Sequence, residues 1–334
     1  MATIYDVAKR ASVSVATVSA VVNSSAYVSP ELRQRVDAAI AELSYNPNLL
    51  ARSLAQKKSF SLGVLIPDIT NPFYPEVVRG AEDKAKQDGY TILLGNSDNR
   101  RDKEELYLNL FLSKRVDGIM MFKASEDMSD ALLAKLKGNS IPIVLVGRRY
   151  SRLETDCVVA DDEAGARAAV RHLIRLGHRR VGIITGFRGV STTEGRLEGY
   201  RKALAAHRIP FDPALVVEGD YGTESGYRGS LRLLEQKPTA IFSTNYLMTV
   251  GLMQALEKKG LRCPKDIAVV SYDDFLWTNF FRPKLTCIEQ PKYQLGYQAM
   301  TLLLGRLNGK HKRVQTVVLK NRLRVRESCG AKGA

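Results

Sequence analysis

The sequence predicts an α/β fold: an N-terminal all-α domain built on a helix-turn-helix, then a two-lobed, doubly wound core. Three observations carry this prediction. Helix-start signals recur at Thr3, Ser14 and Ser29, ahead of short apolar-periodic stretches. From Phe60 onward the pattern changes to short apolar strands alternating with amphipathic helices. That alternation restarts at Arg179 with the same strand, loop and helix, so the 334 residues read as one small unit and two similar lobes.

Thr3 with Asp6 three positions on has the spacing of a capping box and opens a first helix that ends near Ala11. Ser14 caps a second, running to about Val22. Ser29, Pro30 at the first helical position and Glu31 start a third, with Leu32, Val36, Ala39, Ile40 and Leu43 as its apolar stripe. On a helical wheel Val15, Ala16, Ser19 and Ala20 share an arc of about 140°, and Thr17, Val18, Val21 and Val22 fill the rest. The valines of the second arc are expected to pack on Val7, Ala8, Leu32 and Val36. The small first arc then faces out, able to come close to another surface. Helix, three-residue turn and helix fit a unit whose second helix enters a DNA major groove. A tri-helical packing module that touches no nucleic acid fits the same pattern.

Residues 46–59 read as a joint. Asn46 and Pro47 can start a fourth helix carrying Leu49, Leu50 and Leu54, too short to be stable alone, and Gln56 to Ser59 are a polar linker. The first core series has strands in "SLGVLIP", "YTILLG", "VDGIMMF" and "IPIVLVG", with helices in "EVVRGAEDKAKQDG" and at 103–113 and 129–137. The second has strands in "RRVGIITG", "ALVVEG", "AIFS" and "IAVVSYD" between helices in "LEGYRKALAAH", "SGYRGSLRLLEQ" and "MTVGLMQALEKKG". Unbroken apolar strands separated by helices indicate parallel sheets covered on both faces. A last helix in "LTCIEQPKYQLGYQAMTLLLGRL" and strand material in "RVQTVVLKNRLRVRES" close the chain, with Arg322, Arg324 and Arg326 alternating as on a half-exposed strand.

Composition narrows the function. Net charge is +15, which suggests a polyanionic partner. The excess is not at the N-terminal helices: residues 1–58 hold seven Lys/Arg and four Asp/Glu, against nine and one in residues 305–334. No apolar run is long enough to span a bilayer, and "MATIYDVAKRAS" lacks a secretory apolar core, so a cytoplasmic location is expected. Cys157, Cys263, Cys287 and Cys329 form no CxxC and there are four histidines, so neither a metal site nor a cofactor is expected. No P-loop or GxGxxG follows a strand, and no Ser/His/Asp set is apparent, so no enzyme is expected.

Several stretches together resemble the lactose-repressor/galactose-repressor family of bacterial transcription regulators. They include "TIYDVAKRASVSVATVSAVVN", "YNPNLLARSL", "LGVLIPDITNPFYPEVVRGAEDKAKQDGYTILLGNSD", "HLIRLGHRRVGIITG", "IAVVSYDD" and "LTCIEQPKYQLG", in family order across essentially the whole chain. The resemblance implies a helix-turn-helix domain (1–45), a hinge helix and linker (46–59), and a core like periplasmic sugar-binding proteins, with lobes at 60–160 plus 291–320 and 161–290 plus 321–334. It implies a homodimer or tetramer on a near-palindromic operator, with a small effector between the lobes. A dimer is favoured, since no leucine-heptad tail follows Arg326.

By motif, Val15, Ala16 and Ala20 would read bases, Thr17, Ser19 and Asn23 would contact phosphates, and Leu54 would wedge into the minor groove. The expected effector site takes Phe73, Tyr74, Arg148, Arg196, Tyr221, Asn245, Asp273 and Gln290, which lie near strand ends. For Arg196 and Asp273 a mutual structural ion pair is the alternative, and for Phe73 and Tyr74 it is lobe packing. Two departures stand out: Gly147 replaces an Asp of many sugar-binding members, and Asn245-Tyr246 replaces Asn-Asp. With Arg148 and Arg149 beside the first gap, a sugar acid, sugar phosphate or aromatic acid is expected rather than a plain neutral sugar. A solute-binding transport protein and a phosphosugar-using enzyme on the same core are the rival readings; the missing leader and residues 1–58 speak against the first.

Overall fold

Polar caps set where the N-terminal helices begin. In the computed structural model, which describes residues 2–23, 26–45, 58–124, 127–139 and 141–331, Thr3 caps α1 (Ile4–Ala11) in a full capping box with Asp6. Ser12 ends that helix in the left-handed region at φ 52°. Ser14 Oγ accepts from the Thr17 amide at 3.0 Å and heads α2 (Val15–Asn23). Ser29 and Pro30 open α3 (Pro30–Glu42) as the pattern requires. From α3, Arg35 donates to the carbonyls of Ala11 at 2.6 Å and Ser12 at 3.1 Å, tying the turn to the third helix.

Val7, Ala8, Ala11, Val18, Val21, Val36 and Ala39 form the buried core of this unit. Leu32 is only half-buried and outside that cluster. The helices are short and meet around Val36 and Ala39 of the expected stripe, so of the two α3 contacts expected for the α2 valines Val36 is in the core and Leu32 is not. The chain divides into two units, residues 1–59 and 60–334.

In the second unit the elements run β1 (Ser61–Ile66), α4 (Phe73–Gln87), β2 (Thr91–Asn96), α5 (Arg101–Ser113), β3 (Gly118–Met121), α6 (Asp130–Gly138), β4 (Ile143–Val146) and β5 (Asp156–Ala160). There follow α7 (Asp162–Arg175), β6 (Val181–Thr185), α8 (Ser191–Ala206), β7 (Val216–Glu218), α9 (Thr223–Glu235), β8 (Ala240–Ser243), α10 (Tyr246–Lys258), β9 (Ala268–Tyr272) and β10 (Thr286–Glu289). The chain closes with α11 (Lys292–Leu307), β11 (Thr316–Leu319) and β12 (Arg322–Arg324). Strands β3, β4, β5, β6, β8 and β9 are buried along their whole length, as the inner strands of sheets covered on both faces must be.

Two six-stranded sheets result, ordered β2-β1-β3-β4-β5-β11 and β7-β6-β8-β9-β10-β12. The first is parallel throughout, and in the second only β12 runs antiparallel, against β10. The orders match, so each sheet has one switch point, between β1 and β3 and between β6 and β8. The chain passes between the sheets after β5, after β10 and after β11. In β12 Arg322 and Arg324 are exposed about a half-buried Leu323, but the strand stops there. Arg326 leaves the alternation and forms a bidentate pair with Asp274, at 3.0 and 2.7 Å.

Helix α8 begins at Ser191, earlier than the sequence suggests, so Arg196 lies in its second turn and not at its head. Ser191, Thr192 and Thr193 are poor helix formers, and Glu194 stabilises the start by accepting from the Gly189 amide at 3.0 Å. Helices α4 and α11 cross at backbone contact. A Cβ on Gly296 would fall on the Val77 carbonyl oxygen, and one on Gly80 on that of Tyr293. Gly296→Ala must therefore force these helices apart, at about 1–3 kcal/mol. The expected outcome is a melting temperature lowered by roughly 2–4 °C per kcal/mol; calorimetry showing no change would mean the helices part freely.

Candidate functional site

On α2 the exposed face is small, as expected. Ala16 is exposed, Ser19 and Ala20 are half-exposed, and Val18 and Val21 are buried against α1 and α3. Val15 is half-buried and touches the helical core, so it stands at the edge of that face. The Thr17 hydroxyl lies 2.9 Å from Ser14 Oγ, at the N-terminal end where unpaired amides favour anions. The Asn23 side chain and Leu54 lie outside the described residues.

In the second unit all eight expected effector residues come together. Phe73, Tyr74, Arg148, Arg196, Tyr221, Asn245, Asp273 and Gln290 line one cavity of about 60 Å³ between the lobes. All but Arg196, which reaches in from the second turn of α8, follow the carboxyl end of a strand or lie at the start of the next helix, where doubly wound sheets leave a crevice. Beside Gly147, already singled out in the sequence, Asn71, Phe122 and Thr192 complete the lining. Sequence reading missed these three, although Phe122 directly follows β3 and was open to the same rule. A wider vestibule of about 370 Å³ adjoins the cavity and shares Asn71, Tyr74, Arg148 and Tyr221 with it.

The two arginines are held differently. Arg196 is buried, donates from Nε to Asp162 Oδ1 at 2.8 Å and from Nη1 to the Thr244 carbonyl at 2.5 Å. Its guanidinium carbon lies 3.8 Å from the Tyr272 ring centroid. It therefore pairs with Asp162, not with Asp273. Arg148 is also buried, but its Nη1 donates to neutral oxygens, Asn99 Oδ1 at 2.8 Å and the Lys123 carbonyl at 2.6 Å. Among the described residues no carboxylate is hydrogen-bonded to it. The neighbouring Arg149 is exposed and points its backbone amide at Ser191 Oγ, 2.9 Å away.

Phe73, Tyr74 and Phe122 form an edge-to-face trio with centroids 5.0–6.0 Å apart. Burial pushes the Tyr74 phenol up to about 12, so it is a neutral hydroxyl at physiological pH. Tyr221 hydrogen-bonds Thr193 at 2.6 Å. Asn245 caps α10, accepting from the Met248 amide at 3.2 Å. Both sequence departures have a structural counterpart. Gly147 sits at φ 69°, and a Cβ there would meet the Phe122 ring at 2.7 Å. Tyr246 packs edge-on to Phe275, with centroids 4.9 Å apart, in place of a carboxylate.

Two further lining residues, Tyr221 at φ 69° and Asp273 at φ 72°, also occupy the left-handed region. Such backbone strain concentrates at ligand sites. Asp273 accepts from Gln290 Nε2 at 2.6 Å. Burial raises its pKa, against the opposing pull of Arg196 and Lys292. A raised carboxyl pKa penalises the folded state increasingly as pH rises above the unfolded value, and fully once pH exceeds the folded one. Asp273→Asn should therefore raise the melting temperature at pH 7, and the gain should fade as pH falls to the ordinary carboxyl value of 3.8. A pH series of thermal melts checks this; a gain that grew toward low pH would contradict it.

Two lobes closing on one lined cavity, with a separate helix-turn-helix unit, define a ligand-responsive DNA-binding regulator. Residues 3–48 match the model of bacterial regulatory proteins of the lacI family, and residues 170–329 match a periplasmic binding protein-like domain. The chain is 40% identical over 332 residues, covering 98% of it and 97% of the relative, to the HTH-type transcriptional repressor PurR of Proteus mirabilis (strain HI4320). It is 39% identical to catabolite control protein A of Priestia megaterium, with 98% of each chain covered. The solved lac repressor dimer bound to operator and the anti-inducer ONPF is 30% identical, with a TM-score of 0.87 over 99% of both chains. The complex of the regulator CelR with cellobiose is 30% identical, with a TM-score of 0.76 over 98% of this chain and 100% of that one. The protein belongs to the lacI family of bacterial transcription regulators. No helix among the described residues is long and apolar enough to cross a membrane.

Proposed function

We propose that the protein is a cytoplasmic repressor, not an enzyme, that binds a near-palindromic operator as a homodimer under the control of a small molecule held between its lobes. One observation carries this reading: eight residues scattered from Phe73 to Gln290 converge on a single interlobe cavity. The space is narrow, so an effector larger than a few water molecules binds as the lobes part or re-close around it. An effector that prefers one lobe arrangement then shifts the operator-binding equilibrium. Coupling of about 1–3 kcal/mol changes operator affinity roughly 5–150-fold.

On the DNA side Val15, Ala16 and Ala20 read base edges, while Thr17, Ser19 and Asn23 hold phosphates and Leu54 enters the minor groove. The relatives support these roles through their common family and not through a contact seen in this chain. Alanine and valine offer only apolar contact, chiefly to thymine methyls, so readout by this helix rests on methyls and groove shape. Ala20→Arg should add discrimination of about 1–3 kcal/mol at one base pair. Selection from randomised duplexes checks it, and an unaltered preference would place Ala20 away from the bases.

The effector is an anion: a sugar acid, a sugar phosphate or an aromatic acid. A buried guanidinium whose described partners are neutral oxygens supports this, and the aromatic trio beside it supplies an apolar wall. A charged hydrogen bond is worth about 1.5–3 kcal/mol, so Arg148→Met should cost an anionic ligand roughly 10–150-fold in affinity and a neutral sugar little. Calorimetric titration of sugars and their acid counterparts decides; tight binding by neutral sugars alone refutes it.

A further inference from the structure

The second unit carries a basic face that neither the helix-turn-helix nor the effector cavity uses. All strands of the first sheet are parallel, so their starts lie at one end of that lobe. Lys114 and Arg115 precede β3, Lys137 stands in the last turn of α6 ahead of β4, and Lys310, Lys312 and Arg313 precede β11. All six side chains are exposed. Among the described residues none of the six is in an ion pair. The carboxylates at this end are few, and Asp88, ahead of β2, is paired with Lys84 at 2.6 Å. Asp117 accepts from the Phe60 amide at 2.9 Å. Asp156 is buried and taken by Arg306 and His311. Glu154 is exposed and stays as a partial counterweight.

This is also the end at which the chain arrives from the N-terminal unit, since exposed Lys58 lies just ahead of β1. We infer that this face is a second, sequence-independent contact for the phosphate backbone of the DNA held by the helix-turn-helix. The inference rests on the DNA-binding reading above and extends it to the core.

Charge and reach both support it. Residues 1–58 contribute only +3 of the net +15, which leaves +12 for the remainder. Twelve residues, 46–57, span at most about 43 Å when fully extended, so chain length does not put the start of β1 out of reach of DNA held by the first unit. Strands β3, β4, β5 and β11 are neighbours, so the cations spread over about 14 Å. Duplex DNA carries about eight negative charges in that length of axis.

The test compares wild type with a variant carrying K114Q, R115Q, K137Q, K310Q, K312Q and R313Q. Binding to a random-sequence duplex of about 40 bp is followed by fluorescence anisotropy from about 50 to 200 mM salt. Each lost phosphate contact should make the slope of log K against log salt shallower by about 0.9. A slope shallower by about 2–4 is expected, with weaker binding to every sequence and an unchanged melting temperature. K114Q with R115Q alone should take about 1–2 from the slope. Equal slopes in wild type and both variants would overturn the inference while leaving the DNA-binding reading intact. Wild type that binds no duplex at all would overturn both.

Discussion

The second unit depends on how Arg196 is held. Its guanidinium donates to the Asp162 carboxylate and the Thr244 carbonyl and lies over the Tyr272 ring. Tyr272 donates in turn to Asp162 at 3.1 Å, and Asn321 donates to the Tyr272 hydroxyl and to the Asp161 carbonyl. Breaking a buried pair of this kind is costly because it strands a charge in a dry environment. The network therefore locks α7, α8 and β9 together directly behind the cavity.

The same network reaches the points where the chain passes between sheets. Asp161 follows β5, Asn321 follows β11, and the Asp161 amide donates to Leu319 at 2.8 Å. Gln290, at the third passage, holds Asp273 of the cavity. Groups that line the cavity are thus one or two hydrogen bonds from all three connections. A ligand that re-orients Arg196 or Asp273 acts on the elements that set how the lobes sit. Close-packed protein transmits such a shift because it has few intermediate arrangements.

The N-terminal unit works by a different economy of groups. Its core is built from valines and alanines, which let three short helices approach closely, and its exposed face keeps the same small residues. Small side chains permit close approach to another surface but supply few hydrogen bonds. Most of the positive charge lies in the second unit, which is the charge that the contact inferred above would draw on.

Local order was legible in the sequence. Capping residues announced α1, α2 and α3, and unbroken apolar runs announced β1, β4, β6 and β9, because these signals act over a few residues. The strand-end rule together with the family motif named the effector residues that the structure gathers into one cavity. What the sequence could not decide is which oxygen each buried charge meets. Arg196 chooses Asp162, 34 positions away, and Arg148 meets neutral carbonyls. It could not show that Leu32 escapes the helical core, nor that Phe122 fills the space beside Gly147. Periodicity reports which face of an element is apolar; partner choice and the gathering of six cations at one end of a sheet arise only when distant segments pack in register.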